Sequence, residues 1–496
     1  RKKLNALNTN PVIHSNKDEM DHFKSAINKE YETKINFYKA IQFVDLYLKS
    51  FTLEIKKIIA SGHGTGTHPE LGTILVLGAF PGDVIQVGIY KKLGKLSYGQ
   101  IISFVEYSLD RDTNPSQAPF FAPNMPWEHL SEFAELRYKK SFVDNLYKHD
   151  TDTEQKEIAI VNDNRNIILK QTGYRNKVAY SFMENKGGIL SFALYTRGTH
   201  GAQKIPQTAN ILVHPLLEKV GKKFLHFFNQ KNISVEALKY LTLRYSYFEN
   251  RVVAHILVPE LNRKKISFKK VDLEKFLNQH SEVKGILVSH SEPDTRSSMT
   301  TKDFYSIGDI DSIEMVLNKK YSYHPSLFFQ IYPEAFCEIL VDVRKNIKDI
   351  SNHNNLPALD LYAGVGIIGL EIADLVSNVT GVELSPLSHK YAIKNAEQNS
   401  VNNFHFIEST VDNILKSITS EQILIVDPTR AGLSKETIAQ ILKKQPRHIF
   451  YISCNPETQH SDFETLKEVY NIKFLKAYNI FPKTHHVESI IVLEKK

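Results

Sequence analysis

Ile449-Phe450-Tyr451-Ile452-Ser453-Cys454-Asn455-Pro456 is the stretch that decides the fold. Its first four residues form an apolar run short enough for a strand buried on both faces. Pro456 cannot continue that strand and is well placed to open a helix. A strand followed directly by a helix is the unit of a parallel sheet, and open α/β sheets bind ligands at the C-terminal lips of their strands. Cys454 stands at such a lip. It is one of two cysteines in 496 residues. Most free cysteines are small buried hydrophobes, so its neighbours must decide whether this one does chemistry.

Working outward, Leu356–Tyr362, Asn378–Glu383, Phe404–Glu408 and Gln422–Asp427 are apolar runs of the same kind, separated by helical stretches. Together with His448–Ile452 they predict a doubly wound parallel sheet. The segment His486–Leu493 reads as an antiparallel strand added at its edge. Three lips carry chemistry besides Cys454. Asp360-Leu361-Tyr362-Ala363-Gly364-Val365-Gly366 is a Gly-rich turn, and Glu383 ends the next strand. A carboxylate there can accept from both ribose hydroxyls of a nucleoside cofactor, which fits NAD, FAD or S-adenosylmethionine. Val426-Asp427-Pro428-Thr429-Arg430 closes a further strand. Thr484, His486 and Glu488 alternate and would share one face of the last strand. A thiol and a carboxylate then converge on one crevice.

Bulk composition is that of a soluble globular protein, with 42% hydrophobic and 24% charged residues. The length suggests about three or more domains. No apolar run is long enough to cross a bilayer, and the first residues lack the apolar core of a signal peptide. Two cysteines exclude a disulfide framework and point to a reducing, cytoplasmic setting. A net charge of +7, carried mainly by lysine, permits a polyanionic partner.

Four segments follow from patterning. Residues 1–50 form an N-terminal extension, with helical spacing from Asp18 to Leu48 (Met20, Phe23, Ile27, Tyr31, Ile35). Residues 51–110 show four or five short strands with Gly turns, Gly62-His63-Gly64-Thr65-Gly66 among them. This suggests a small barrel of oligonucleotide-binding (OB) type with Lys91, Lys92 and Lys95 available to phosphates. The Gly-rich stretch lacks the helix and Lys-Ser/Thr of a P-loop. Residues 111–310 begin with a Pro-rich loop and a helix over Glu128–Tyr147, then continue as mixed α+β. Asn185-Lys186-Gly187-Gly188 and Glu249-Asn250 read as hairpin turns, and Pro215–Gln230 as the clearest helix. Residues 311–496 hold the parallel sheet.

The C-terminal half resembles the RNA 5-methyluridine methyltransferase family. The resemblance rests on Phe328-Phe329-Gln330, the Asp360–Gly366 turn, Val426–Arg430, Ser453-Cys454-Asn455-Pro456 and His486-Val487-Glu488. The 51–110 segment is similar to the TRAM domain of the family's larger members. The resemblance implies a multidomain α/β protein: an OB-type TRAM-like barrel, a mixed α+β central domain that binds RNA, and a Rossmann-like methyltransferase sheet. It implies S-adenosyl-L-methionine as cofactor, held by Gln330, Tyr362, Glu383 and Asp427. It also implies Cys454 as a nucleophile of lowered pKa adding to C6 of uracil, Glu488 as the base that removes the C5 proton, and Arg430 as an aid in positioning the base. The target uridine would be flipped out of structured RNA.

Large-subunit ribosomal RNA is the substrate this resemblance favours, with transfer RNA the close rival. No DNA or membrane partner and a monomeric state are expected. Many large members hold an iron–sulfur cluster in the loop before Trp127. Here Ser116–Met125 has no cysteine, so no cluster and no metal site are expected. Ala363, Thr429 and Tyr332 also depart from the family's usual cysteine, proline and asparagine. Cys337, in a helix starting near Pro333, reads as core. Two other readings stand beside this one. Methylation of an adenine amino group would need no thiol, and a non-catalytic RNA-binding protein would need neither Cys454 nor Glu488.

Overall fold

The computed structural model describes residues 49–112, 125–150, 170–195, 204–206, 211–262, 266–292, 300–351 and 355–496. The expected helix over Asp18–Leu48 and nearly all of the cysteine-free loop lie outside these residues. No helix among them is long and apolar enough to cross a membrane.

Two compact units make up the chain. The smaller contains six strands: β1 (Phe51–Glu54), β2 (Lys57–Ile58), β3 (His63–His68), β4 (Gly72–Leu77), β5 (Val84–Leu93) and β6 (Leu96–Glu106), ordered β1-β5-β6-β4-β3-β2. Leu53, Ile74, Val76, Ile85, Val87 and Ile101 point inward and fill the core, as period-2 alternation requires. The stretch Gly62–Gly66, expected as a turn, is mostly strand. Only Gly62 (φ +85°) belongs to the reversal. Gly64 and Gly66 serve a different need: a Cβ would lie 2.3 Å from the Ala79 carbonyl oxygen and 2.5 Å from that of Glu54. Glycine lets β3 close against β1 and curls the sheet into a barrel-like form. The helix expected over Glu128–Tyr147 is shorter, α1 (Glu132–Leu146).

The larger unit holds two seven-stranded sheets. The first is mixed: β7 (Lys177–Glu184), β8 (Leu190–Tyr195), β9 (Lys204–Pro206), β10 (Tyr240–Ser246), β11 (Arg251–Val258), β12 (Val283–His290) and β13 (Lys302–Gly308), ordered β13-β12-β11-β10-β7-β8-β9. Both predicted hairpin turns are present. Helices α2 (Pro215–Gln230) and α3 (Lys270–Gln279) cover one face. His214 caps α2 through Nδ1, Pro215 occupies its first turn, and Leu217, Val220, Phe224 and Phe228 form the buried stripe. A hairpin, β14 (Ser312–Val316) and β15 (Lys319–Tyr323), leads to α4 (Pro333–Ser351). Cys337 on α4 is half-buried rather than part of the core proper.

The second sheet comprises β16 (Ala358–Leu361), β17 (Val379–Glu383), β18 (Phe404–Glu408), β19 (Ile423–Val426), β20 (His448–Ser453), β21 (Tyr470–Tyr478) and β22 (Glu488–Lys495). Its order is β18-β17-β16-β19-β20-β22-β21, with β16–β20 parallel. Connections run through α5 (Ile367–Ile372), α6 (Pro386–Gln398), α7 (Val411–Ile414), α8 (Lys435–Lys444) and α9 (Pro456–Leu466). Two expectations are corrected here. β22 is not the edge: it lies antiparallel between β20 and β21, with Glu488–Leu493 all buried. The edge strand is β21, whose alternating burial marks one face as solvated. β22 also starts at Glu488, so Thr484 and His486 belong to the preceding turns and not to a shared strand face.

Candidate active site

Alternation along the second sheet sorts its residues into two faces. Leu359, Leu361, Val382, Leu424, Val426, Ile449, Tyr451, Ile491 and Leu493 enter one core. The residues between them point the other way. At one end of the sheet, the C-terminal lips of β17, β16, β19 and β20 and the N-terminal end of β22 therefore present Glu383, Asp360, Asp427, Cys454 and Glu488 on one face, in that order. Ser453 pairs with Ser489, which sets Cys454 opposite Glu488 across the antiparallel ladder. Glu488 is buried at 6% exposure and the thiol is half-buried.

Local hydrogen bonds lock the thiol's turn. Ser453 Oγ accepts from Asn455 N at 3.0 Å, and Asn455 Oδ1 caps α9 by accepting from Glu457 N at 3.3 Å. Asn455 Nδ2 and Thr458 Oγ1 both donate to the Arg430 carbonyl, at 3.1 and 3.2 Å. Asp462 accepts from Leu433 N (2.9 Å) and from the Tyr451 hydroxyl (2.7 Å). The Asp427–Leu433 loop is thereby tied to α9. Arg430 is the cation that acts on the Cys454 thiol, and its Nη2 lies 3.3 Å from the His486 ring nitrogens. Under β20 and β22, Gln459 accepts from Ser489 Oγ at 2.7 Å and donates to the Tyr451 carbonyl at 2.8 Å.

Acids outnumber cations here, and protonation follows from that. Burial pushes the Glu488 carboxyl well above its usual range, Asp427 adds to the rise, and Arg430 opposes it. Burial raises Asp427 to about 7. It raises Asp360 to about 8, with Asp427 adding and the Gly369 amide opposing. The Cys454 thiol is likewise raised, first by burial and then by Glu488, against Arg430. The expectation of a lowered thiol pKa is thus not met in the resting protein: two carboxylates face the sulfur against one exposed guanidinium.

At the other end of the row, Glu383 accepts from Gly364 N (3.2 Å) through Oε2 and from Ser385 N (3.1 Å) through Oε1. This aims the carboxylate while leaving each oxygen a further lone pair. Tyr362 (φ +65°), Gly364 (+56°) and Gly366 (+86°) make the turn. A Cβ on Gly364 would meet nothing within 4 Å, so the turn borders open space. Gly369 packs so closely that a Cβ would lie 2.7 Å from Phe404 and 2.9 Å from Asp360. An acid with spare acceptors beside an open glycine turn fits a nucleoside.

The expected site residues divide accordingly. Glu383, Asp427, Cys454 and Glu488 share the row. The Tyr362 ring packs against the core, leaving its backbone in the turn. Gln330 stands on the segment before α4, where its carbonyl accepts from Asn176 Nδ2 at 3.1 Å. Asp360 belongs in the row although sequence reasoning did not single it out; its place at the end of an apolar run was the available signal. Oδ1 of Asp360 is buried without a partner. Among the described residues, Asp150, His460 and Glu464 have metal-ligand spacing. Lys467 Nζ already lies 3.5 Å from Asp150 and 2.7 Å from Glu464 and supplies the positive charge.

Residues 310–496 match the family described as tRNA (Uracil-5-)-methyltransferase. An uncharacterised RNA methyltransferase of Caldanaerobacter subterraneus subsp. tengcongensis is 27% identical over 455 residues, covering 90% of this chain and 98% of the relative. One from Nanoarchaeum equitans is 26% identical over 470 residues, covering 92% and 96%. The structure of a Pyrococcus abyssi tRNA (uracil-54, C5)-methyltransferase, in complex with S-adenosyl-L-homocysteine, superimposes with a TM-score of 0.69 at 21% identity, covering 89% of this chain and all of that one.

Proposed function

From a chain whose residues 310–496 match the tRNA (uracil-5-)-methyltransferase family, we infer an RNA (uracil-5-)-methyltransferase that uses S-adenosyl-L-methionine and acts through Cys454 and Glu488. The observation that carries this is the placement of Cys454 opposite Glu488, two lips away from a nucleoside-type turn.

Cys454 attacks C6 of a flipped-out uracil. The sulfur lone pair forms the S–C6 bond while the C5=C6 electrons move toward O4, making C5 nucleophilic. Arg430 is the cation that favours the thiolate. A bound cofactor would supply a methyl group from a positively charged sulfur, the methyl carbon going to C5 and the broken C–S electron pair staying on sulfur as a neutral thioether. Glu383 holds the nucleoside end through its spare lone pairs, and the open turn at Gly364 admits it. Gln330 and Tyr362 are further proposed contacts, Tyr362 through its backbone. Asp427, between the two ends, meets cofactor or base. Glu488 then removes the C5 proton; the C–H electrons restore C5=C6 and release Cys454 as thiolate. A base whose pKa is raised by burial is a better proton acceptor once ionised. The barrel-like sheet and mixed sheet would hold the surrounding RNA by shape and phosphates.

Transfer RNA is the substrate supported first, by the substrates named for the matching family and for the Pyrococcus abyssi enzyme. Ribosomal RNA is the rival. The test is incubation with RNA transcripts carrying 5-fluorouridine. Because fluorine cannot leave as a proton does, the S–C6 bond persists and a denaturation-resistant complex forms. Loss of that complex in Cys454→Ala, and methyl transfer to tRNA but not to ribosomal RNA, support the reading. Methyl transfer undiminished in Cys454→Ala would instead indicate the adenine amino-group chemistry.

A further inference from the structure

The face of the mixed sheet turned away from α2 and α3 is buried and yet polar. Leu241, Leu243, Val252, Ala254, Ile256 and Val288 enter the core beneath the helices. Alternation sends Thr242 and Arg244 of β10, His255 of β11, Ser289 of β12 and Lys177 of β7 to the opposite face. Register makes neighbours of them: Arg244 pairs with Lys177, and Thr242 with both His255 and Ala179. Two basic residues therefore stand side by side, Arg244 buried and Lys177 half-buried.

Arg244 is 1% exposed. Its guanidinium donates to the carbonyls of Pro325 and Leu327 and lies 5.3 Å from the Tyr323 ring centroid. Its Nη1 has no partner, nor has the buried Thr242 Oγ1. Among the described residues, neither Lys177 nor Arg244 forms an ion pair. Tyr323 acts on Arg244 ahead of Glu314, and burial raises the Glu314 carboxyl to about 8, which disfavours its anionic form at neutral pH. His255 adds no charge, since burial lowers it to about 3; it lies 2.8 Å from Ser289 Oγ, which donates to Asp303. Burial, and then Arg244, lower Lys177 to about 7. A buried guanidinium beside a half-buried ammonium, with no ion pair among the described residues, is costly. The layer is open at one point, because Ala179, across from Thr242, is exposed.

We propose that Lys177, Thr242 and Arg244 form a seat for a phosphate group, supplied by the backbone of the bound RNA. Lysine and arginine donate to the non-bridging oxygens, the threonine hydroxyl completes the set, and the anion offsets the paired charges. The proposal rests on the RNA reading above and adds where the backbone is gripped.

The experiment measures binding of the full chain to a fluorescein-labelled tRNA transcript across KCl concentrations, for wild type, Lys177→Met and Thr242→Val. Lys177→Met is expected to weaken binding about tenfold near 0.1 M salt and to take about one unit off the slope of log K against log salt. Thr242→Val weakens it several-fold and leaves the slope. The Lys177→Met melting temperature equals or exceeds that of wild type, because a half-buried charge without a partner has been removed. Unchanged affinity and slope overturn the proposal, as does a fall in affinity accompanied by a lower melting temperature. A wild-type chain that binds no RNA refutes the proposed function instead. In a second arm, inorganic phosphate stabilises wild type and not Lys177→Met. If that happens while RNA binding ignores the substitution, the occupant is a small phosphate compound and the RNA assignment falls.

Discussion

Replacing Arg430 by methionine should slow the thiol's chemistry in a way that can be worked from the structure. The guanidinium is the positive group that acts on Cys454. Two opposite unit charges at a contact separation of about 4 Å attract by about 1 kcal/mol in water-like surroundings and about 4 kcal/mol at an effective dielectric of 20. Arg430 is exposed and Cys454 half-buried, so solvent screening favours the lower end, about 1–2 kcal/mol. That corresponds to about one pKa unit. The assay is alkylation by iodoacetamide against pH in a Cys337→Ser background, which leaves one thiol. Below its pKa the thiolate fraction changes tenfold per unit, so Arg430→Met should react about ten times more slowly at pH 7.5. An unchanged or faster rate would falsify the account of how this thiol is activated.

Glu488→Gln should methylate once and stall, because the C5 proton has no acceptor; a covalent RNA–protein band without 5-fluorouridine, with turnover down about 10²–10⁴-fold, is the expected gel. In wild type, the rate should fall as pH drops through the raised Glu488 pKa, with its acid limb above the ordinary carboxylate range; a limb near 4 counts against Glu488 as base. Stability should run the opposite way. Asp360 and Asp427 titrate near 8 and 7 when folded, so the stability they lend is present below about pH 4 and lost as pH rises through 7–8. Urea midpoints should decline over that window, and less steeply in Asp360→Asn. Gly364→Ala should fold with a cost of about 1–2 kcal/mol for its positive φ. It should also bind S-adenosyl-L-homocysteine several-fold more weakly in calorimetry, since the methyl group enters the open space of the turn.

The parallel strands were legible because each is a continuous apolar run with a chemical residue at its end, and a run such as Ile423–Val426 has few other uses. Strand order was less so. Where β22 inserts depends on how β21 returns along the sheet, and both positions suit an apolar segment. The bulge between Ile472 and Phe474 also breaks the alternation that would have marked β21. Gly64 and Gly66 were misread because glycine serves positive φ and close backbone approach alike. Cys454 and Glu488 could be paired from their motifs. Their protonation could not, because it depends on burial and on Asp427, Cys454 and Glu488, from three different strands, meeting at one end of the sheet. Lys177 and Arg244 look in sequence like ordinary surface cations, and only register makes them neighbours.

The crowding of acids around Cys454 has a consequence for the enzyme between turnovers. Thiol oxidation and alkylation proceed through the anionic form of the sulfur, and here that form is disfavoured. The idle cleft thereby shields the thiol proposed as its nucleophile, and oxidation of Cys454 at neutral pH should be slow.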